Sequence, residues 1–394
     1  MAEISLPAAE KAQDRATTKT ATRLIYLDHL RAALIILVVL HHVAMVYAQT
    51  GPFYYINPVA SAPLIGLALF VFPLFNQAWF MGALFLIAGY FTPGSLERRG
   101  SGSFMKERLL RLGLPLLIYL LLIDPLSAIG LFLPPAATIT APLTWQTFGQ
   151  LYPELIGMGP GWFLALLLIF SFGTVAVTKL AGKRSASAQE GSSSISARGL
   201  IIFTLALALA SYLVRIFIPI GRELFGFPTL AYLPQYLSFF IVGSVAYRRG
   251  WLQTLTDRLG KLGFLAAVLA TFLFYPIIIL GIVGGTFRFL GNGSWPSAIY
   301  ALWDSIFAVG ISLAAITFFR RYFDKKSSIG SFLAQQSYAV YVIHVPIVVT
   351  VAYLLRGIDL GLILKFTLTA LIAVPLSFAA AWLIRKIPGV TRVL

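Results

Sequence analysis

Apolar runs of about 20 residues recur along this chain from Leu24 almost to its C-terminus, separated by short polar or basic stretches. A run of that length crosses a ~30 Å hydrocarbon core as a helix. The pattern predicts ten helices, at about 24–48, 64–92, 109–133, 161–180, 199–218, 231–247, 262–283, 298–318, 332–355 and 362–384. The second and third are long enough to include tilted or interfacial turns. Between the third and fourth, Pro134, Pro135, Pro142, Pro153 and Pro160 make 134–160 read as a structured outer loop. The fold class expected is an all-α polytopic integral membrane protein of about ten transmembrane helices.

Charge sets the orientation. Of the 30 lysines and arginines, 24 fall in the N-terminal segment, in the connections after the second, fourth, sixth and eighth spans, and after the tenth. All of these lie on one side of a ten-span topology, which puts both termini in the cytoplasm. A chain that is 59% hydrophobic and only 11% charged, with 394 residues, belongs in a bilayer, since soluble domains carry about 25% charged residues. The formal charge of +16 could suggest a nucleic-acid partner, but its clustering between spans assigns it to topology instead. Residues 1–22 lack the apolar core of a signal peptide and read as a disordered cytoplasmic tail. The transmembrane domain then covers 23–386 and a second cytoplasmic tail 387–394. The Gly/Ser-rich stretch 182–197 reads as a flexible linker. No internal repeat stands out, which weighs against the repeated halves of many transporters. With no cysteine there is no disulfide, thiol nucleophile or Cys-ligated metal. Four histidines without an H-E-x-x-H arrangement give no reason to expect a metal site.

The first span, "IYLDHLRAALIILVVLHHVAMVYA", holds Asp28, His29, Arg31, His41 and His42. Ionisable groups inside a membrane span are costly and mark functional sites by default. Asp28 and Arg31 are within pairing reach at i, i+3. Arg31 and His42, eleven apart, share nearly one face about 16 Å apart along the axis, with His29 and His41 turned away. His42 is therefore a candidate functional residue; a buried imidazole bonded to a nearby carbonyl is the bland alternative. Arg108 and Arg111 stand one turn apart at the mouth of the third span, where two guanidinium groups could clamp phosphates or merely anchor the helix to the cytoplasmic face. In "QQSYAVYVIHVPI", Ser337, Tyr341 and His344 line one face, with Tyr338 at its edge. Such a stripe could hold substrate or join helices by hydrogen bonds. Trp162 follows the Gly159-Pro160-Gly161 turn at the expected outer interface, where an aromatic belt alone would explain it. Asp124 and Asp304 are further acids within spans and could balance an Arg or His across the bundle.

Three of these motifs occur in the order found in the membrane-bound acyltransferase 3 family, and the chain resembles that family over about residues 23–386. Arg31 and His42 match its Arg-x10-His signature, Arg108 and Arg111 its R-x-x-R motif, and Ser337, Tyr338, Tyr341 and His344 its S-Y-x-x-Y-x-x-H pattern. The resemblance implies a membrane O-acyltransferase of the cell (inner or plasma) membrane, moving an acyl group of the acetyl or succinyl class from cytoplasmic acyl-CoA to a carbohydrate or glycan hydroxyl. It implies no tightly bound cofactor, acyl-CoA being a donor substrate. His42 is then the general base or an acyl carrier, supported by Asp28 and Arg31; Arg31, Arg108 and Arg111 receive the CoA phosphates. Trp162, Ser337, Tyr338, Tyr341 and His344 are the expected substrate-binding residues. "LDHLRA" and "WFL" point toward relatives that modify glucans. A proton-coupled transporter or flippase could use the same buried groups, and the oligomeric state leaves no mark in the sequence.

Overall fold

A computed structural model describes residues 24–48, 53–57, 63–135, 137–180 and 195–394. The N-terminal tail and most of the Gly/Ser linker lie outside these residues. Among the described residues the regular structure is helical, with a single β-bridge between Leu224 and Phe227. The main helices are α1 (Ile25–Ala48), α2 (Pro63–Gln77), α3 (Phe80–Arg108), α4 (Trp145–Leu155), α5 (Trp162–Leu180), α6 (Ala197–Phe217), α7 (Leu233–Arg248), α8 (Asp257–Val283), α9 (Trp295–Tyr322), α10 (Ser328–Leu354) and α11 (Leu362–Ile384).

Nine apolar runs among the described residues are long enough to cross a membrane. One of them, Ile65–Phe132, holds 68 residues, about 100 Å of helix at 1.5 Å per residue, and turns back on itself at Gly100. There φ is +73°, a left-handed conformation that glycine adopts without strain. Across the turn Arg99 pairs with Glu107 at 2.8 Å and Leu96 packs with Phe104. This run therefore supplies two of the ten expected crossings. Helix directions agree with that alternation. α1 and α10 run parallel, Arg31 meeting Ala334 and His42 meeting His344. α3 and α7 also run parallel, Gly82 meeting Gln235 and Gly94 meeting Tyr247; between these the Gly89 backbone lies against Phe240 and Gly243 against Leu86, so closely that a Cβ at either glycine would strike a carbonyl. α8 and α9 run antiparallel, Gly260 meeting Thr317 and Gly263 meeting Gly310.

Two boundaries differ from the sequence reading. The helix expected at 64–92 is two helices, broken at Ala78–Trp79, where Gln235 Nε2 donates to the Ala78 carbonyl at 2.6 Å. No glycine or proline marks that break, because its partner comes from α7. The stretch between the second and third spans, expected as a loop, stays helical apart from Gly100.

Proline shapes the segment between Arg108 and Phe132. It winds as π-turns at Leu109–Gly113 and Tyr119–Ile123, followed by Pro115 and Pro125. A helix-interior proline offers no N–H to the carbonyl four residues back. Each vacated carbonyl here has a hydroxyl donor from elsewhere: Tyr338 donates to Arg111 O and Tyr152 donates to Leu121 O. In α3 the same holds for Pro93, whose vacated Gly89 carbonyl accepts from Ser244 Oγ at 3.0 Å.

Candidate functional site

α1 presents His42 and α10 presents His344 at the same depth, with 3.1 Å between His42 Nδ1 and His344 Nε2. The proton positions follow from the other partners. His344 Nδ1 lies 2.8 Å from the Tyr341 carbonyl, which can only accept, so Nδ1 carries the hydrogen. In a neutral ring that makes His344 Nε2 an acceptor. His42 Nδ1 then faces two acceptors, this nitrogen and the Val38 carbonyl at 2.8 Å, and must carry the other hydrogen. His42 Nε2 is left as a bare lone pair with no hydrogen-bond partner among the described residues. His344 is fully buried and His42 half-buried. Two neutral imidazoles thus form a directed chain that ends on one basic nitrogen.

On the outer side, Phe53 stacks on His42 with centroids 5.6 Å apart, and Tyr54 lies edge-on to Phe53. The Tyr54 hydroxyl donates to Asp124, whose second oxygen accepts from the Gly157 N–H at 2.9 Å. A Cβ on Gly159, where φ is +35°, would collide with Tyr54, Asp124 and Tyr119, so only glycine lets this turn close over them. The next residue, Pro160, accepts the Tyr341 hydroxyl. Asp124, left without a partner in the sequence reading, is therefore the knot tying three segments beside Phe53 and His42.

On the opposite side, Arg31 pairs with Asp28 at 3.0 Å and reaches the Ala334 carbonyl at 3.5 Å. One turn along α10, Tyr338 holds the Arg111 carbonyl. Arg31 and the R-x-x-R turn therefore gather at neighbouring turns of α10. Glu107 is shared by Arg99, at 2.8 Å, and Arg111, at 3.5 Å, which leaves a basic excess here. The Arg108 guanidinium lies 4.9 Å from the centre of the Phe104 ring, and its Nε is buried with no hydrogen-bond partner among the described residues. Such an orphaned donor on a half-exposed arginine suits an anionic guest.

The remaining residues singled out from sequence fall as follows. Ser337 donates to the Ala334 carbonyl at 3.0 Å, and both tyrosines of the stripe spend their hydroxyls on backbone carbonyls. Trp162 is buried, stacked on Tyr236 at 5.2 Å, and does not stand in an interfacial belt. His41 stacks on Phe80 and lies edge-on to His42 with centroids 5.4 Å apart, while His29 bonds the Phe323 carbonyl at 2.7 Å. Asp304 pairs with Arg215 at 2.6 Å, far along the chain from either histidine. The residues that sequence reasoning missed are Phe53, Tyr54 and Gly157; they lie in outer connections with no motif of their own. Among the described residues, no three His, Asp or Glu side chains converge as a metal site would require.

A family model described as an acyltransferase domain matches residues 24–386, which include the histidine pair, the arginines and Asp124. Curated relatives include the glucans biosynthesis protein C of Salmonella schwarzengrund, of Salmonella typhi and of Salmonella typhimurium, each 29% identical over 238 residues. Each alignment covers 58% of this chain and 59% of the relative, so the chain spans about three-fifths of the length of the relatives it matches. No solved structure matches the chain.

Proposed function

This chain belongs to the acyltransferase 3 family, and we propose that it moves an acyl group of the acetyl or succinyl class from acyl-CoA to a hydroxyl of a carbohydrate acceptor, a glucan being the first candidate. The observation that carries the reading is the directed histidine chain: Tyr341 carbonyl, His344, His42, bare Nε2. Acyl transfer to an alcohol needs a base at the attacking oxygen, and a neutral imidazole supplies one. His42 Nε2 takes the hydroxyl proton as the oxygen attacks the thioester carbonyl. The imidazolium so formed is steadied through Nδ1–H by His344. Collapse of the tetrahedral centre breaks the C–S bond, and the thiolate leaves as the thiol with the proton from Nε2. The products are the ester and free CoA, so no other reactant is needed.

Donor binding falls to the arginines. Arg31, Arg108 and Arg111 gather near one end of α10 and suit the CoA phosphates, while Asp28 holds Arg31 in place. Because the basic clusters face the cytoplasm, the donor enters from that side of a cell (inner or plasma) membrane. The acceptor meets His42 from the outer mouth framed by Phe53, Tyr54 and the Gly157–Gly161 turn. Trp162, Ser337, Tyr338 and Tyr341 then shape the substrate path by fixing these segments.

The test is mass spectrometry of alkali-labile acyl groups on periplasmic and surface glycans. Cells lacking the gene are compared with cells restored by the native chain or by His42→Ala at equal level. An acyl modification present only with the native chain is expected. No change in any glycan would overturn the carbohydrate acceptor, and equal restoration by His42→Ala would overturn the base.

A further inference from the structure

A second site lies away from the histidines, between α8 and α9 at their cytoplasmic ends. The stripe Asp257, Lys261 and Phe264 on α8 faces Ile311, Ala314 and Phe318 on α9 across a cleft of about 540 Å³, with Arg321 at its rim. The cleft has a physical origin. Gly263 and Gly310 bring the two backbones into contact deeper in the bilayer, and Gly260 seats Thr317. Small residues at Ala314 and Ala315 then leave the groove unfilled where the large rings of Phe264 and Phe318 stand out on either side, each about half exposed.

The groove is polarised along its length. Its deep part is apolar, and its cytoplasmic rim is cationic. Asp257, the acid at the rim, is taken up by Arg320 at 3.0 Å and Arg321 at 3.1 Å, so one carboxylate meets two guanidinium groups. The Arg320 hydrogen bond, with Arg321 behind it, holds that carboxyl below its ordinary range. Lys261 adds a further positive charge with no acid in contact. An apolar slot capped by surplus positive charge, at the depth of the inner leaflet's headgroups, is complementary to an anionic amphiphile.

We propose that this cleft is a binding site for an anionic phospholipid of the cytoplasmic leaflet, one acyl chain lying between Phe264 and Phe318 and the phosphate meeting Lys261 and Arg321. The site is independent of the acyl-transfer reading and would stand if that reading failed. It differs from ordinary lipid contact by selecting the headgroup.

The experiment reconstitutes the full chain in nanodiscs of equal phosphatidylglycerol and phosphatidylcholine and counts retained lipids by native mass spectrometry. The native chain is expected to keep phosphatidylglycerol in several-fold excess. Lys261→Gln should bring the ratio toward one. Ala314→Phe, which fills the slot and leaves every charge in place, should lose the retained lipid while keeping the native thermal midpoint. Equal retention of both lipids by the native chain would overturn the proposal, as would an unchanged excess in both variants. Displacement of the lipid by millimolar inorganic phosphate, with phosphate adducts appearing in its stead, would also overturn it by showing a plain anion site.

Discussion

Two buried polar pairs sit in this bundle, and they are built to opposite ends. Arg215 and Asp304 are 0% and 1% exposed and 2.6 Å apart, with the Tyr232 and Tyr300 rings 4.7 and 5.3 Å from the guanidinium carbon. Both carry charge, so each is tolerable at that depth only because of the other. His42 and His344 are neutral and need no counter-charge. Their hydrogen bonds run in one direction and end at a nitrogen left bare. The first pair fastens α6 to α9 and leaves Arg215 Nη1 and Asp304 Oδ1 sealed in the interior without a hydrogen-bond partner among the described residues; the second leaves one imidazole nitrogen open on a half-buried ring. Burial of polar groups does not mark chemistry in itself. What separates the two pairs is reach: the unpartnered atoms of the ion pair are sealed in, whereas the open nitrogen belongs to a ring that is only half-buried.

The largest expected effect breaks that contrast at the open pair. His42→Gln should lower acyl transfer at least ~100-fold, the scale of a lost general base, with little change in the thermal midpoint, since the residue is neutral and only half-buried. Full activity in the glutamine variant would sink the assignment. At the sealed ion pair the pattern should invert. Asp304→Ala leaves Arg215 charged and unpaired in the interior and should destabilise by about 3–5 kcal/mol, whereas the double variant Arg215→Met/Asp304→Leu should recover most of that loss. Thermal unfolding in detergent measures both, and transfer per folded molecule should be unchanged in the double variant. If transfer falls there with stability intact, the pair serves the reaction after all.

The smallest effect tests the link between helix winding and the arginines. Tyr338→Phe removes the hydroxyl that donates to the Arg111 carbonyl and should cost about 1 kcal/mol. It should raise the KM for acyl-CoA more than it lowers kcat, because the turn carrying Arg108 and Arg111 loosens. Adding Pro115→Ala restores an N–H to that carbonyl and should regain stability without regaining KM, since the turn rewinds toward an α-helix. Recovery of both together would mean that Tyr338 acts on stability alone.

The spans were legible because each is a run of apolar residues whose length the bilayer dictates, and the alternating basic clusters carried the topology with them. Asp28–Arg31 was legible for the same local reason, an i, i+3 spacing on one helix. The break at Ala78–Trp79 was not, because a side chain on α7 satisfies the carbonyl it frees. The partners of Asp124 and Asp304 were equally hidden: Tyr54, Gly157 and Arg215 stand 70, 33 and 89 residues away along the chain. The tyrosines at 338 and 341 looked like substrate contacts, and only the packed bundle revealed which carbonyls they hold.

By itself, then, the sequence determined a multi-span membrane helix bundle, the placement of His42 three turns beyond Arg31, and basic clusters that alternate with the spans. These follow from helical periodicity and the cost of exposing polar groups to lipid. Tertiary structure decided that His344 meets His42, which nitrogen is left bare, and that Tyr338 holds the carbonyl vacated by Pro115 in the turn that bears Arg111. A hydrogen bond between helices depends on the register in which they pack, and no spacing along one chain segment encodes that register.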